Sequence, residues 1–273
     1  MRKNKIKTTL LVSTYNWPEA LELSLRSAFS QTVPPDEIVI ADDGSGQPTR
    51  QTIERLTEES PVPIVHVWHE DRGFRKTEIL NKALAKASGE YIIQIDGDVV
   101  MSPHFISDHL ELAESGCFVC GSRVKLSEKT TKRILSSGRF SLSVRNMPLC
   151  FVANSFRSRL LRHFLAWRYA RKIDHLRGCN MAFWRSDLLR VNGYNEDLTQ
   201  WGHEDGEIAY RLHFAGVRKK ALKMGGNVYH LHHKEASRGN EGRHLSELER
   251  VKGGHIDWCD NGIDKYLATN EEK

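Results

Sequence analysis

Apolar and β-branched positions in the first half of the chain fall into short runs separated by stretches of helical periodicity. Residues 8–14 (TTLLVST) form one run, which stops at Tyr15-Asn16. Pro18 comes next, where the first turn of a helix tolerates it, and Leu21, Leu25, Ala28 and Phe29 recur at helical spacing. A second run, within EIVIADDGSG (37–46), closes on Asp42 and Asp43; a helix fits 48–59 and a third strand 63–68. In the next predicted helix Ile79, Leu80, Ala83, Leu84 and Ala87 share a face, and Gly89 is predicted to cap its C-terminus. A fourth run, 91–96, opens YIIQIDGDVV and finishes on Asp96, with Asp98 one glycine later.

Strands alternating with helices of this length predict an α/β fold with a mostly parallel central sheet flanked by helices. Such sheets bind ligands beyond the carboxyl ends of their strands. Tyr15-Asn16, Asp42-Asp43 and Asp96-Asp98 are therefore expected along one edge. Two carboxylates a residue apart need a positive partner, and a divalent cation held by oxygen ligands supplies one. Gly97 between them allows a turn and a close ligand approach.

The second half reads less regularly. Residues 123–177 lack clear periodicity. RSRLLRHFLAWRYARK (157–172) holds six cations and no acid, and a helical wheel puts Arg157, Arg168 and Arg171 in its apolar sector. It is read as a solvated helix or loop, with contact to an anionic membrane surface or acceptor as the other reading. CFVC (117–120) has metal-knuckle spacing but no matching second pair, and is read as a core strand with reduced thiols. WGHEDGEIAYRL (201–212) has the spacing of a helix that starts at Glu204 and Asp205, where the dipole favours carboxylates. In NVYHLHHK (227–234) strand alternation puts His230 and His232 on one face and His233 opposite, and imidazole joined to carboxylate suits Mn²⁺. From about 236 one polar helix (243–252) and a loosely packed end are expected.

Length and charge narrow the classes. The chain's 273 residues can bury a sizeable core, and its formal charge of +5 fits an anionic ligand without indicating nucleic acid, for which aromatic-basic interleaving is missing outside 157–172. Five irregularly spaced cysteines speak against a disulfide framework. The apolar part of the N-terminus is only about five residues, too short for a signal peptide or span, so a cytoplasmic protein is expected.

Three blocks, LLVSTYNWPEALELSLRSAFSQTVPPDEIVIADDGS, GFRKTEILNKALAKASGEYIIQIDGDVVMSP and RGCNMAFWRSDLLRVNGYNEDLTQWGHEDGEIAYRLHFAG, together resemble the inverting family 2 glycosyltransferases of GT-A fold. The resemblance runs in order over roughly residues 7–235, and its Trp-Gly-x-Glu-Asp block is similar to the galactosyltransferase and chondroitin-polymerase type. It implies a glycosyltransferase domain over 1–235, with a nucleotide-binding half (about 1–122), an acceptor half (about 123–235) carrying a small mixed sheet, and a helical tail over 236–273. It also implies a nucleotide-sugar donor, usually UDP-linked, a Mn²⁺ or Mg²⁺ ion, and a glycan or lipid-linked acceptor in surface polysaccharide or lipooligosaccharide synthesis.

Carried over by position, Thr14, Tyr15, Asn16, Asp42 and Asp43 resemble the nucleoside wall. By the same resemblance Asp96 would face the ribose and the metal, with Gly97 beside it, and Asp98 is similar to the direct metal ligand, with His230 and then His232 as the late histidine. Asp205 resembles the base and Glu204 a contact to acceptor or donor sugar; Trp201 and Asn180 fall in the donor-sugar region. Where many relatives have Arg-Asn this chain has Leu80-Asn81, so Arg75 or Lys76 is expected to serve the phosphates. Two other functions use such a sheet edge: a sugar nucleotidyltransferase and a non-catalytic sugar-nucleotide-binding module. The first wants a glycine-rich basic loop where this chain reads STYNWPEA, and the second a damaged base or metal site, which is not visible.

Overall fold

The computed structural model of the chain describes residues 5–138, 140, 157–200, 202–234 and 241–267. The first half alternates as its pattern requires: β1 (Thr8–Thr14), α1 (Pro18–Phe29), β2 (Glu37–Asp42), α2 (Gln47–Glu59), β3 (Ile64–Trp68), α3 (Lys76–Lys86) and β4 (Tyr91–Asp96). Next come β5 (Val99–Met101), α4 (Phe105–Leu112), β6 (Cys117–Cys120), β7 (Arg123–Lys125), α5 (Glu128–Ser137) and α6 (Arg159–Arg168). The rest comprises β8 (Met181–Trp184), α7 (Arg185–Arg190), α8 (Glu204–Phe214), β9 (Arg218–Ala221), β10 (Val228–His230), α9 (Glu241–Gly254) and α10 (Asp264–Leu267).

Seven strands form one sheet in the order β3-β2-β1-β4-β8-β6-β9, and β8 alone runs against the others. A second, mixed sheet is ordered β5-β10-β7. Alternate residues of the central strands feed two apolar layers. Leu10, Val12, Ile93 and Ile95 pack with Leu21 and Leu25 of α1, whereas Leu11, Val39 and Ile92 pack with Ile79, Ala83 and Leu84 of α3. Each fully buried Leu or Ile contributes about 1.5–3 kcal/mol. Parallel register aligns Thr14 with Asp42 and Ser13 with Asp96, so the polar strand ends do lie along one edge.

Several local expectations change. Gly89 does not cap α3, which ends through Ala87 in extended conformation. Its missing side chain serves close packing instead, because a β-carbon there would lie 2.5 Å from Thr9 Oγ1. CFVC is the wholly buried β6, and its two thiols are free; Cys150 lies outside the described residues. On α6 the cation taken into the interior is Arg162, while Arg168 stays exposed, as do Arg157 and Arg171 beside the helix. Burial of that guanidinium is compensated from α4 by Asp108 at 2.9 Å and by Glu111. The tail is not loose: His244, Leu248 and Val251 of α9 are buried, as are Cys259 and Ile263 beyond it. No helix among the described residues is long and apolar enough to cross a membrane.

Candidate active site

A cleft of about 1180 Å³ opens at the carboxyl ends of β1 and β4. Thr14, Tyr15 and Asn16 form one wall, Asp96, Gly97 and Asp98 the floor, and His230, His232 and His233 the far side. Asn16 adopts a positive φ of 46°, a conformation Asn tolerates, and its Oδ1 accepts the Gly46 N–H at 2.9 Å. That bond ties the β1 end to the loop after β2.

The two aspartates at the end of β2 divide. Asp43 lines the cleft; it accepts the backbone N–H of Arg75 at 2.9 Å and contacts His69 Nε2 at 2.8 Å. Asp42 lies behind it, fully buried, between the Ser45 N–H (2.8 Å) and His66 Nε2 (3.0 Å). Burial pushes the Asp42 carboxyl up, but those two hydrogen bonds outweigh it and hold the group below its ordinary value. Asp42 thus braces the loop that presents Asp43. Arg75 touches Asp43 through its backbone, and the side chain from this helix start that enters the cleft is Lys76.

Gly97 carries the turn after β4: its N–H donates to Ser13 O at 2.7 Å, and a β-carbon would stand 3.0 Å from that same oxygen. The turn separates the two acids. Asp96 accepts Ser13 Oγ at 2.9 Å and Lys76 Nζ at 2.8 Å. Burial raises its carboxyl, and Lys76 and Ser13 more than reverse that. Asp98 turns toward the second sheet, where its Oδ2 lies 3.4 Å from His230 Nε2 and 3.0 Å from His233 Nε2. One ligand atom from each of Asp98, His230 and His233 falls within 4.8 Å of the others.

The expected pairing of His230 with His232 gives way here to His230 with His233. β10 ends at His230, so strand alternation no longer governs the residues beyond it. His232 is exposed, and its backbone N–H is held by Thr131 Oγ1 at 2.8 Å. Among the described residues Asp98 Oδ1 is buried without a hydrogen-bond partner, as a ligand oxygen reserved for a cation would be. Carboxylate oxygen with two imidazole nitrogens is a donor set suited to Mn²⁺. The charge of the same carboxylate, through its hydrogen bond, pushes His233 up to about 9.

Lys76 links this floor to the helix that opens on Glu204. Its Nζ, 2.8 Å from Asp96, is 3.5 Å from Glu204 Oε1. Glu204 and Asp205 start α8, whose fixed position comes from Arg211: this buried guanidinium meets Glu207 at 2.7 Å and donates to Val191 O and Gly193 O. Burial first, then the Glu204 charge, push the Asp205 carboxyl up to about 7 against the pull of Lys76. One Asp205 oxygen, Oδ1, is buried and has no hydrogen-bond partner among the described residues. A carboxyl held near neutrality can exchange a proton in that pH range.

Asn180 is not in the cleft. It is fully buried, donating to Ser122 O (2.8 Å) and Gly226 O (2.9 Å) and contacting His109 Nε2 at 2.8 Å, and so clasps three segments together. Trp201 lies outside the described residues. RGCNMAF (177–183) resembles the family's donor-sugar loop, normally Gly-Gly-Asn, but its sequence does not reveal that Gly178 lies against Asp205, where a β-carbon would collide with the carboxylate. His233, which strand alternation puts on the opposite face, joins the site because the strand ends at His230; the signal is three histidines within four residues at the end of a short strand.

Residues 9–191 match the family model described as Glycosyl transferase family 2, and residues 158–234 match the N-terminal domain of galactosyltransferase. The chain is 25% identical over 266 residues to Chondroitin synthase of Escherichia coli, covering 91% of this chain and 37% of that protein. It is 27% identical over 233 residues to Validoxylamine A glucosyltransferase of Streptomyces hygroscopicus subsp. limoneus, covering 77% and 48%. It therefore spans less than half the length of either relative. Two solved structures are similar: S. aureus TarS in complex with UDP-GlcNAc (TM-score 0.64, 17% identity, 97% of this chain and 71% of that one), and the mannosyltransferase PcManGT from Pyrobaculum calidifontis in complex with GDP-Man and Mn²⁺ (TM-score 0.63, 20% identity, 98% and 70%). The likeness is one of fold, the GT-A architecture that the sequence led us to expect.

Proposed function

Because the chain belongs to glycosyl transferase family 2, we propose that it is a metal-dependent inverting transferase that moves a hexose or N-acetylhexosamine from a nucleotide sugar to a hydroxyl of a glycan or lipid-linked acceptor. Surface polysaccharide or lipooligosaccharide synthesis is the setting that suits such a reaction and relatives such as Chondroitin synthase. One observation carries the reading. Lys76 joins the cleft acid Asp96 to Glu204, so the strand end that carries Asp98 and its histidines and the helix start that carries Asp205 meet across one ammonium.

In this reading Asp98, His230 and His233 hold the metal ion, Mn²⁺ or Mg²⁺, which when bound neutralises charge building on the departing diphosphate. Thr14, Tyr15, Asn16 and Asp43 flank the nucleoside. Asp205 takes the proton of the acceptor hydroxyl as its oxygen bonds to the anomeric carbon. The bond from that carbon to the diphosphate breaks with its electron pair on the phosphate oxygen, and a single in-line displacement inverts the centre. UDP-linked donors are favoured by the likeness to TarS, which is in complex with UDP-GlcNAc.

A cytoplasmic site of action at the inner membrane face fits the exposed side of α6. Leu160 (86% exposed), Phe164 (68%) and Trp167 stand there beside Arg168, and the Arg218 guanidinium lies 4.6 Å over the Trp167 ring. Apolar and aromatic side chains rimmed by cations suit an anionic bilayer interface. Sedimentation with phosphatidylglycerol vesicles, abolished in Phe164→Glu, is the expected result.

The function is tested with purified protein, a panel of nucleotide sugars and Mn²⁺, monitoring release of nucleoside diphosphate. Slow metal-dependent hydrolysis of one UDP-sugar, lost with EDTA, is expected. Pyrophosphate release from a nucleoside triphosphate and a sugar phosphate, with no hydrolysis in the panel, would instead assign a nucleotidyltransferase.

A further inference from the structure

The backbone just before Glu204 is held in an unusual shape. Gln200 and His203, neither of them glycine, have φ of 75° and 64°, and Gly202 between them has φ of 122°. Left-handed conformations at non-glycine residues persist only where their surroundings dictate them. The surroundings here come partly from the far end of the chain. His244, on the first turns of α9, is buried beneath the loop, with Nε2 2.8 Å from Thr199 O and Nδ1 in a short contact with Gly202 O.

The two carbonyls, of Thr199 and Gly202, flank Gln200, so one ring bridges them. The ring is itself anchored. Leu248 and Val251 of the same helix are buried, Leu248 packs close to Gly206 of α8, and Glu247 accepts Asn195 Nδ2 at 3.1 Å.

We infer that His244 is a positioning residue: reaching from the C-terminal helix, it holds the backbone carbonyls of Thr199 and Gly202 and thereby aims the two carboxylates that open α8. This rests on the reading of Asp205 as the base. Both partners are carbonyl oxygens, so each contact needs an N–H from the ring: a neutral imidazole donates to one of them, only the doubly protonated ring donates to both, and amide side chains of two lengths separate the contacts. Asn at 244 offers a donor near the Nδ1 position, toward Gly202, and Gln one near Nε2, toward Thr199. His244→Leu fills the space and offers none.

The test compares these three variants with the parent and with Asp205→Asn. It measures Mn²⁺–UDP binding by calorimetry, turnover of the UDP-sugar selected by the panel, and deuterium exchange of the amides of 199–205. In His244→Leu, kcat should fall about tenfold or more, as displaced catalytic groups cause, with Mn²⁺–UDP affinity within about twofold of the parent and faster exchange across 199–205. His244→Asn should recover more turnover than His244→Gln, because Gly202 is the nearer of the two to Glu204. Parental kcat and exchange in His244→Leu overturn the inference, as does an equal fall in all three variants that merely tracks their unfolding temperatures. If Asp205→Asn retains turnover, the assigned base is wrong; if it is inactive while His244→Leu is not, the positioning role alone is lost.

Discussion

Gly178 and Asp205 share one space: the Asp205 carboxylate occupies the position a side chain at residue 178 would need. The loop carrying Gly178 is held by Gln94, whose Nε2 donates to Gly178 O at 3.3 Å while its Oε1 accepts Tyr194 OH at 2.8 Å. Gly178→Ala should therefore push the carboxylate aside rather than move the loop. The expected result is a loss of about a hundredfold in kcat, the scale that a misplacement near 1 Å produces. Mn²⁺–UDP binding and unfolding temperature should stay close to the parent.

The same carboxyl sets the pH profile. With Asp205 at about 7, raised by burial and then by Glu204, turnover should climb through that region as the base ionises. Stability runs the other way. A carboxyl whose folded value lies above its unfolded value of 3.8 stabilises the fold below 3.8 and loses that contribution as pH rises through about 7. In scanning calorimetry Asp205→Asn should gain more in Tm over the parent at pH 8 than at pH 5; equal gains would contradict the assignment.

Lys76 pulls the carboxyls of both Asp96 and Asp205 down, against burial. In Lys76→Met the acid limb of the pH–rate profile should move up by about a unit or more, as removal of a nearby opposite charge requires. A profile that keeps its midpoint would show that the ammonium does not act on the base.

The parallel sheet was legible because β1, β2 and β4 are buried on both faces and so read as unbroken apolar runs. The acids at their ends were legible for the same reason, since charge stands out against such runs. The features that escaped depend on packing between distant segments. Asp42 and Asp43 are adjacent and chemically alike, yet His66 of the neighbouring strand holds one in the core and leaves the other for the cleft. The clasp made by Asn180, the compensation of Arg162 by α4 and the seat of His244 under the base loop are likewise tertiary facts with no local signature.

The histidines allow a direct comparison. Mn²⁺ titration in the presence of UDP, monitored by electron paramagnetic resonance, should show affinity about tenfold or more weaker in His233→Ala and close to parental in His232→Ala, because His233 Nε2 stands 3.0 Å from Asp98 and His232 is outside that cluster. Equal weakening in both would put His232 in the coordination sphere.

The central claim concerns where the cation and the diphosphate meet. Crystals grown with Mn²⁺ and UDP, with anomalous data collected at the manganese edge, test it most directly. The expected peak lies among Asp98, His230 and His233 and touches the phosphates, with Asp205 free beside Lys76 to face an acceptor. A manganese peak elsewhere, or a diphosphate bound away from Asp98, would contradict it.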